Sequence, residues 1–361
     1  MHVESLFAFR YQVPLAAPLD LGPHTMATRE GWLVQIGLDG DATGWGDVAP
    51  LPGFSPESLA DAAEALQGLA PEVIGLAADE ALARVADAAM PSTVRFGVEL
   101  ALHHAQAVAT ATTLPHVLGA SPAHAMSYNG LLTDEDALPE GIQSLREAGY
   151  RAVKLKVGRG SIDDDITRVK AVHGAAGDVA LRLDANRAWT MEEAGRFAAG
   201  IDGVPIAYIE EPLRDPSRLP AFADGTDVPV ALDETIQEGG RLADHPYAVA
   251  AVIKPALVGG IAATQQLAQQ AAPAGVHLVI SSAFESGIGL RGLVALAATM
   301  GRADVPMGLD TYRRLQADVV WPRLPLNGPV VDVPALTNTP LHIDPQYVDL
   351  EHPVIAYRSS S

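Results

Sequence analysis

The chain has 361 residues, and its 24 Lys and Arg residues stand against 44 Asp and Glu residues, which gives a net charge of −20. Such acidity argues against nucleic acid or an anionic membrane as a partner, because phosphate groups select basic surfaces. The absence of cysteine excludes disulfides, a thiolate nucleophile and cysteine-bound metals. A hydrophobic content of 48% is ample for a core, and the length suggests two domains, or one large α/β domain with an accessory.

The start of the chain does not resemble a signal peptide, because the charged residues Glu4 and Arg10 interrupt its apolar stretch. Two long stretches, residues 100–133 and 255–284, contain no Asp, Glu, Lys or Arg. Pro and Gly residues break both of them, which favours buried elements of a soluble fold over a membrane span. We therefore expect a soluble, cytoplasmic protein.

Residues 1–120 predict an α+β domain. Two strand-like segments, 5–13 and 31–38, precede the turn pair Asp39-Gly40, which sends the chain back into a third segment at 44–47. Apolar residues three and four positions apart then predict helices over 57–69, 72–89 and 92–110. Strands followed by helices are typical of the α+β class.

Residues 121–324 predict a (β/α)₈ barrel. Short apolar strand-like runs recur there at intervals of roughly 21 to 28 residues, enough for one strand, one helix and two loops. The runs begin near Met126, Lys154, Arg182, Tyr208, Ala231, Val252, Val279 and Met307. The alternative is an open doubly wound sheet, but its Gly-rich phosphate turn after the first strand is missing. Residues 325–361 are Pro-rich and are expected to return to the first domain.

Three successive strands of this barrel end in a carboxylate: Asp184, Glu210 and Asp233. Neighbouring strands lie about 4.8 Å apart, so the three groups converge and repel one another unless a cation is present. Oxygen ligands suit Mg²⁺, with Mn²⁺ as a substitute. A single carboxylate at a strand end is usually a helix cap, but three in succession favour a metal site. Glu211 and Glu234, one residue further on, are expected to point away as supporting or capping residues.

Lysine is rare in this chain, and its placement is informative. Only four of the 24 basic residues are lysines, and three of them, Lys154, Lys156 and Lys254, stand at strand ends beside the carboxylates. An arginine could form the same ion pairs, but only a lysine can readily give up its proton at neutral pH. The pattern therefore predicts a general base, whereas Lys170 lies in a helical stretch and is expected on the surface.

The motifs Lys154-Leu155-Lys156, Asp184-Ala185-Asn186, Glu210-Glu211-Pro212, Asp233-Glu234-Thr235 and Ile253-Lys254-Pro255 resemble the muconate-lactonizing subgroup of the enolase superfamily over nearly the whole chain. The resemblance implies that the first domain caps the barrel, with residues 15–29 and 50–58 as substrate-covering loops. It also implies that Mg²⁺ is held by Asp184, Glu210 and Asp233, beside a lysine base.

Four further segments, residues 44–59, 253–260, 281–290 and 306–312, resemble a lyase branch of this subgroup. Its members dehydrate a cyclohexadiene carboxylate in menaquinone or phylloquinone biosynthesis. The resemblance implies that Lys156 takes the proton and later protonates the leaving hydroxide in a syn elimination. Lys254 would remain charged and stabilise the anion, and Lys154 would orient Lys156 and lower its pKa.

The substrate contacts are less sharply defined by the sequence. Asn186, Ser281, Ser282 and Gly308 stand at strand ends, and Phe54 lies in a Pro/Gly-rich loop that is expected to cover the site. For the strand-end residues ordinary turn or strand packing is an equally good explanation. The expected partner is a small-molecule carboxylate. The sequence is also compatible with a homo-oligomer.

Two alternatives remain for the function. The first is a racemase or epimerase of N-succinylamino acids, other N-acylamino acids or dipeptides, which would use Lys156 and Lys254 as two opposed bases. The Asp-x-Asp pair of dipeptide epimerases is missing from Gly308-Leu309-Asp310. The second is a non-catalytic barrel protein, against which the complete set of lysines and carboxylates argues.

Overall fold

The computed structural model describes residues 1–21, 24–132, 138–300, 302, 304–326, 328–340 and 342–359. The chain opens with the antiparallel strands β1 (Val3–Leu21), β2 (His24–Leu38) and β3 (Ala42–Val48). Buried and exposed residues alternate along much of β1, as expected for a sheet with one covered face. Pairing between β1 and β2 continues to Leu21 and His24. Residues 15–29 are therefore largely the far end of a hairpin rather than the expected loop, and 22–23 lie outside the described residues.

Four helices follow: α1 (Leu59–Val73), α2 (Ala78–Asp87), α3 (Ser92–Ala109) and the short α4 (Leu114–Leu118). Helix α1 begins at Ser58, whose side chain accepts a hydrogen bond from the backbone of Asp61 in a capping box. Helix α3 lies directly on β3, where a side chain at Gly44 or Gly46 would overlap the helix backbone. The three longer helices confirm the predicted α+β arrangement, with bounds shifted by a few residues.

The second part of the chain forms a curved parallel sheet. Its strands follow one another in chain order, as consecutive βα units require. They are β5 (Gly130–Leu132), β6 (Ala152–Lys156), β7 (Ala180–Asp184), β8 (Tyr208–Glu210), β9 (Val230–Leu232), β10 (Ala248–Ile253) and β11 (His277–Ile280), preceded by the short β4 (Ala125–Ser127).

The two edges of this sheet meet across residues 307–308. Met307 forms a parallel bridge with Tyr128, just before β5, and Gly308 forms one with Ser281, just after β11. The ring of strands is thereby closed, so the predicted barrel is confirmed and the open doubly wound sheet is wrong. The eighth strand is this short because the chain enters a 3-10 helix at Asp310.

Helices alternate with the barrel strands. They are α5 (Leu138–Glu147), α6 (Ile162–Ala176), α7 (Met191–Gly200), α8 (Leu219–Gly225), α9 (Glu234–Gln237), α10 (Pro255–Val258), α11 (Gly260–Ala274) and α12 (Gly287–Met300). The 3-10 helix that follows the eighth strand spans Asp310–Arg314. Across the described ranges no helix combines the length and the apolar character that a membrane crossing requires.

The end of the chain pairs with strands of both parts of the molecule, through a separate two-stranded sheet with β4 and through the edge of the first sheet. Strand β12 (Val330–Asp332) pairs with β4, and it is followed by α13 (Val333–Asn338). Strand β13 (Ile355–Arg358) then pairs antiparallel with β1, at the outer edge of the first sheet. The C-terminal segment therefore joins the two parts of the molecule by backbone hydrogen bonds.

Candidate active site

The carboxyl ends of the barrel strands surround a cavity of about 230 Å³. Ten of the eleven residues that the sequence singles out as catalytic, metal-binding or substrate-binding border it. They are Lys154, Lys156, Lys254, Asp184, Asp233, Asn186, Ser281, Ser282, Gly308 and Phe54. The eleventh residue, Glu210, does not border the cavity but accepts a hydrogen bond from Lys154, which does. A wider adjoining cleft of about 710 Å³ shares Lys156, Asn186 and Phe54 and gives access from solvent.

The strand register explains why these side chains lie side by side. Lys156 stands opposite Asp184 on the neighbouring strand, and Asp184 stands opposite Glu210 on the next one. Lys154 and Lys156 are two residues apart on β6 and therefore share a face. Parallel pairing brings these strand ends to one level, which places the cationic and anionic groups at the same mouth of the barrel.

Two of the lysines are held by carboxylates. The Lys154 Nζ lies 2.8 Å from Asp184 Oδ2 and 2.6 Å from Glu210 Oε2, and the Lys254 Nζ contacts both oxygens of Asp233. Burial alone would lower the pKa of each lysine, but the facing carboxylates outweigh it and raise both pKa values. Lys154 and Lys254 are therefore protonated at neutral pH.

Lys156 has a different environment. Within the described residues its side chain forms no hydrogen bond and no ion pair, although it borders the cavity. Burial lowers its pKa, and the charges of Arg159 and Lys154 act in the same direction, while Asp184 opposes them. Among the three lysines of the site, Lys156 is thus the one whose surroundings favour the uncharged amine.

The buried carboxylates of the site repel one another. Burial raises the pKa of Glu210 to about 8, and the charges of Asp184 and Asp233 add to this effect against that of Lys154. Burial would also raise the pKa of Asp184, but Lys154 and Lys156 lower it. Oxygen groups that repel one another in this way favour a bound cation.

The donor set fits a hard divalent cation. Over the ranges that the structure describes, no three acidic or imidazole side chains are gathered closely enough to hold a metal ion. The reason is that the Lys154 ammonium lies between Asp184 and Glu210, and the Lys254 ammonium lies on Asp233. All three carboxylates are nevertheless buried at one strand-end layer, and only oxygen atoms are offered, which suits Mg²⁺.

Glu211 supports the strand-end residue Asp233 from behind. Its Oε1 accepts hydrogen bonds from the backbone N–H groups of Asp233 (3.1 Å) and Thr235 (2.8 Å), and its Oε2 accepts one from the Thr235 hydroxyl. The Arg187 Nε lies 3.2 Å from Glu211 Oε2, so the guanidinium offsets the negative charge of this carboxylate. Glu211 is fully buried and fixes the turn after β9, in agreement with its predicted supporting role.

Glu234 does not point away from the site as expected. Its Oε1 accepts a hydrogen bond from Asn186 Nδ2 at 2.8 Å, and the side chain borders the adjoining cleft. The expectation assumed strand alternation, but β9 ends at Leu232, and Asp233 has left the extended conformation at φ −136° and ψ −82°. The side chain that follows Asp233 is therefore turned back toward Asn186.

Several cavity residues were missed by sequence reasoning. Asp20 and Leu21 come from the hairpin of the first domain, Arg159 from the loop after β6, and Thr311 and Arg314 from the 3-10 helix after the eighth strand. Arg159 and Arg314 follow the ends of barrel strands in the sequence, and this position could have marked them as candidate cavity residues. Asp20 and Leu21 lie within residues 15–29, which the family resemblance implies as a substrate-covering segment, but the sequence did not single out these two residues.

Two family profiles match the chain. The enolase C-terminal domain-like family matches residues 137–337, and the MenC N-terminal domain matches residues 3–105. The o-succinylbenzoate synthase of Yersinia pseudotuberculosis serotype I is 38% identical over 325 residues, which cover 88% of this chain and 94% of the relative. An o-succinylbenzoate synthase of Yersinia pestis matches equally well. The chain therefore belongs to the enolase superfamily, and within it to the o-succinylbenzoate synthase family.

Solved structures agree on the fold. The N-succinyl Arg/Lys racemase of Bacillus cereus superposes with a TM-score of 0.84 over 100% of both chains, at 20% identity. The L-Ala-D/L-Glu epimerase of Bacillus subtilis gives 0.82 over 97% of this chain and 99% of its own, at 24% identity. The muconate lactonizing enzyme of Pseudomonas fluorescens gives 0.81 over 96% and 97%, at 23% identity.

Proposed function

We propose that this protein is a hydro-lyase that converts 2-succinyl-6-hydroxy-2,4-cyclohexadiene-1-carboxylate into 2-succinylbenzoate by syn elimination of water. The family assignment supports this activity over most of the chain. The observation that carries it in the structure is the asymmetry of the lysines. Lys156 has a lowered pKa and no partner among the described residues, whereas Lys254 is held protonated on Asp233. One base and one fixed cation suit an elimination.

The residues divide the reaction between them. Lys156 takes the proton from the carbon next to the ring carboxylate, and as an ammonium it then protonates the departing hydroxide, so that water leaves and the ring becomes aromatic. The charge of Lys254 stabilises the anion that forms between the two steps. Asp184, Glu210 and Asp233 would hold Mg²⁺ or Mn²⁺, which supplies Lewis-acid stabilisation of the substrate carboxylate. Lys154 keeps Asp184 and Glu210 in place and adds positive charge near Lys156.

A racemase of N-succinylamino acids is the second candidate, because Lys156 and Lys254 reach the same cavity from β6 and from the end of β10. In that reaction each lysine must lose a proton for one enantiomer. The pairing of Lys254 with Asp233 opposes this. We therefore place the racemase reaction second.

The test is to compare the two reactions in one preparation. We expect rapid formation of 2-succinylbenzoate, which is monitored through its aromatic absorbance. Chelation of divalent metal ions should abolish this dehydration activity, and addition of Mg²⁺ or Mn²⁺ should restore it. Exchange of the α-proton of N-succinylamino acids in deuterated water should be much slower. Full dehydration activity in a metal-free preparation would refute the metal site. Rapid exchange of both enantiomers with negligible dehydration would refute the lyase assignment.

We place this reaction in menaquinone or phylloquinone biosynthesis in the cytoplasm, with a small-molecule carboxylate as the partner. The exclusion of nucleic acid and membrane partners rests on the acidic composition and stays a prediction.

A further inference from the structure

Arg314 gives the cavity a positive charge on the side of the eighth strand. It is the last residue of the 3-10 helix Asp310–Arg314, is half-buried, and borders the same cavity as the three lysines. Its neighbour Arg313 is exposed and turns elsewhere, donating hydrogen bonds to the Tyr150 hydroxyl (3.2 Å) and to Asp310 (3.5 Å). Consecutive arginines thus have separate roles.

Apart from Lys156, the proposed base, the other basic side chains of the cavity are already engaged. Lys154 and Lys254 contact carboxylates, and Arg159 has an interaction partner of its own. The side chain of Arg314 forms no hydrogen bond or ion pair with any residue that the structure describes, although Asp310 lies near enough to feel its charge. A half-buried guanidinium without a salt bridge, facing a cavity, is well suited to a carboxylate of the ligand.

The substrate of the proposed function has a second carboxylate. Its ring carboxylate lies next to the reacting carbon, where the strand-end carboxylates and lysines act. The other one ends a flexible succinyl chain, and the cavity around it includes apolar side chains such as Leu131 and Phe284. A carboxylate without a cation or hydrogen-bond donors is costly to bury in such surroundings.

We propose that Arg314 binds the carboxylate at the end of the succinyl chain and thereby selects substrates that carry it. This inference rests on the proposed function, because it takes the ligand from that reaction. An arginine keeps its proton at neutral pH, so Arg314 does not share the proton chemistry of the lysines. Its contribution is therefore to binding rather than to the chemical step.

The experiment compares two ligands that differ only at the end of the chain. In 2-butanoylbenzoate a methyl group replaces the terminal carboxylate of 2-succinylbenzoate. Calorimetric titration with Mg²⁺ present should show that the wild type binds 2-succinylbenzoate about 10- to 100-fold more tightly, as expected for a charge-assisted hydrogen bond. Arg314→Met should remove this preference, and Arg314→Lys should restore part of it. Arg313→Met is the matched control and should keep it.

Kinetics provide the second measurement. Arg314→Met should raise KM for the substrate with a much smaller change in kcat, which a general loss of structure would not produce. Full preference for 2-succinylbenzoate in the Arg314→Met variant would overturn this inference and leave the proposed function intact. Binding of neither compound by the wild type would overturn the proposed function, and this inference with it.

Discussion

The three lysines of the site differ in what surrounds each ammonium rather than in residue type. Lys154 and Lys254 have carboxylates within hydrogen-bond distance, and these keep them charged. The Lys156 side chain is largely buried and lies near other positively charged side chains, and both effects lower its pKa. The same side chain is therefore held as a cation at two positions, and at the third, Lys156, its lowered pKa supports the proposed role as the base.

This difference predicts distinct effects of substitution. Lys156→Ala should lower kcat for dehydration by about 10²- to 10⁴-fold, the usual contribution of a general base. Lys156→Arg should be nearly as inactive, because a guanidinium keeps its proton. Lys254→Arg should retain more activity than Lys254→Ala, since it preserves the charge beside Asp233. The measurement is the initial rate at saturating substrate.

The fourth lysine offers the control for this series. Lys170 is exposed on α6, and Lys170→Ala should leave kcat and KM unchanged. Equal activity of Lys156→Arg and the wild type would contradict the assignment of Lys156 as the base.

At the scale of elements, the ends of the barrel strands were predictable because strand alternation fixes which side chains share a face. This rule placed Lys154, Lys156 and Asp184 correctly at one cavity. It failed at Glu234, where the backbone had already left the strand. It also could not reveal the hairpin of β1 and β2, because continued pairing between two strands depends on tertiary contacts beyond local sequence.

The turn after β9 depends on a single buried acid. Glu211→Ala would leave the backbone N–H groups of Asp233 and Thr235 without their acceptor and would remove the buried one of the two carboxylates that Arg187 contacts. We expect a loss of about 2–4 kcal/mol in the free energy of unfolding, and weaker Mg²⁺ binding because Asp233 is no longer fixed. Urea unfolding and a Mg²⁺ titration of the folded variant measure the two effects.

Arg187 provides a matched comparison for this prediction. It also contacts Glu238, whose side chain is 60% exposed. Glu238→Ala should cost no more than about 1 kcal/mol, because exposed ion pairs contribute little. If the Glu211→Ala and Glu238→Ala variants lost similar amounts of unfolding free energy, the contribution of Glu211 to stability would not depend on its burial.

At the scale of the whole molecule, polar side chains connect the first part of the chain to the barrel. Arg29 is fully buried and donates hydrogen bonds to the carbonyls of Pro50 (2.6 Å) and Phe284 (3.0 Å), which belong to segments bordering the cavity. Asp47 on β3 accepts hydrogen bonds from the backbone and hydroxyl of Ser286. Sequence analysis did not find the contacts to Phe284 and Ser286, because each joins residues more than 200 positions apart and no local pattern marks them.

Glu99 is another such connection, and it makes stability depend on pH. It lies on α3 and accepts hydrogen bonds from the backbone N–H groups of Ile261 and Ala262, in the first turn of α11. Burial raises the pKa of Glu99 to about 7, although these hydrogen bonds oppose the shift. In the unfolded chain the pKa of a Glu is near 4.3. Between these two values the folded protein therefore binds more protons than the unfolded chain.

The sign of the effect follows from this difference. Below about pH 4 Glu99 is protonated in both states and imposes no penalty, and as the pH rises toward 7 the unfolded state gains by ionising first. Glu99→Gln imitates the protonated form and cannot ionise. We expect the free energies of unfolding of the two proteins to converge near pH 4, and the wild type to become progressively less stable than the variant, by about 2–4 kcal/mol near pH 8.

Urea unfolding of both proteins at pH 5, 6, 7 and 8, with Mg²⁺ held constant, measures this divergence. Other buried acids with raised pKa values, such as Glu285 and Asp318, titrate in the same range, but they are present in both proteins and cancel in the difference. Glu64→Gln on the exposed surface of α1 is the control and should follow the wild type at every pH. A constant difference between wild type and Glu99→Gln from pH 5 to 8 would show that folding does not raise the pKa of Glu99, because equal protonation of both states gives no pH dependence. The Glu99 carboxylate in the contact between α3 and α11 would then be ionised over this whole range of pH.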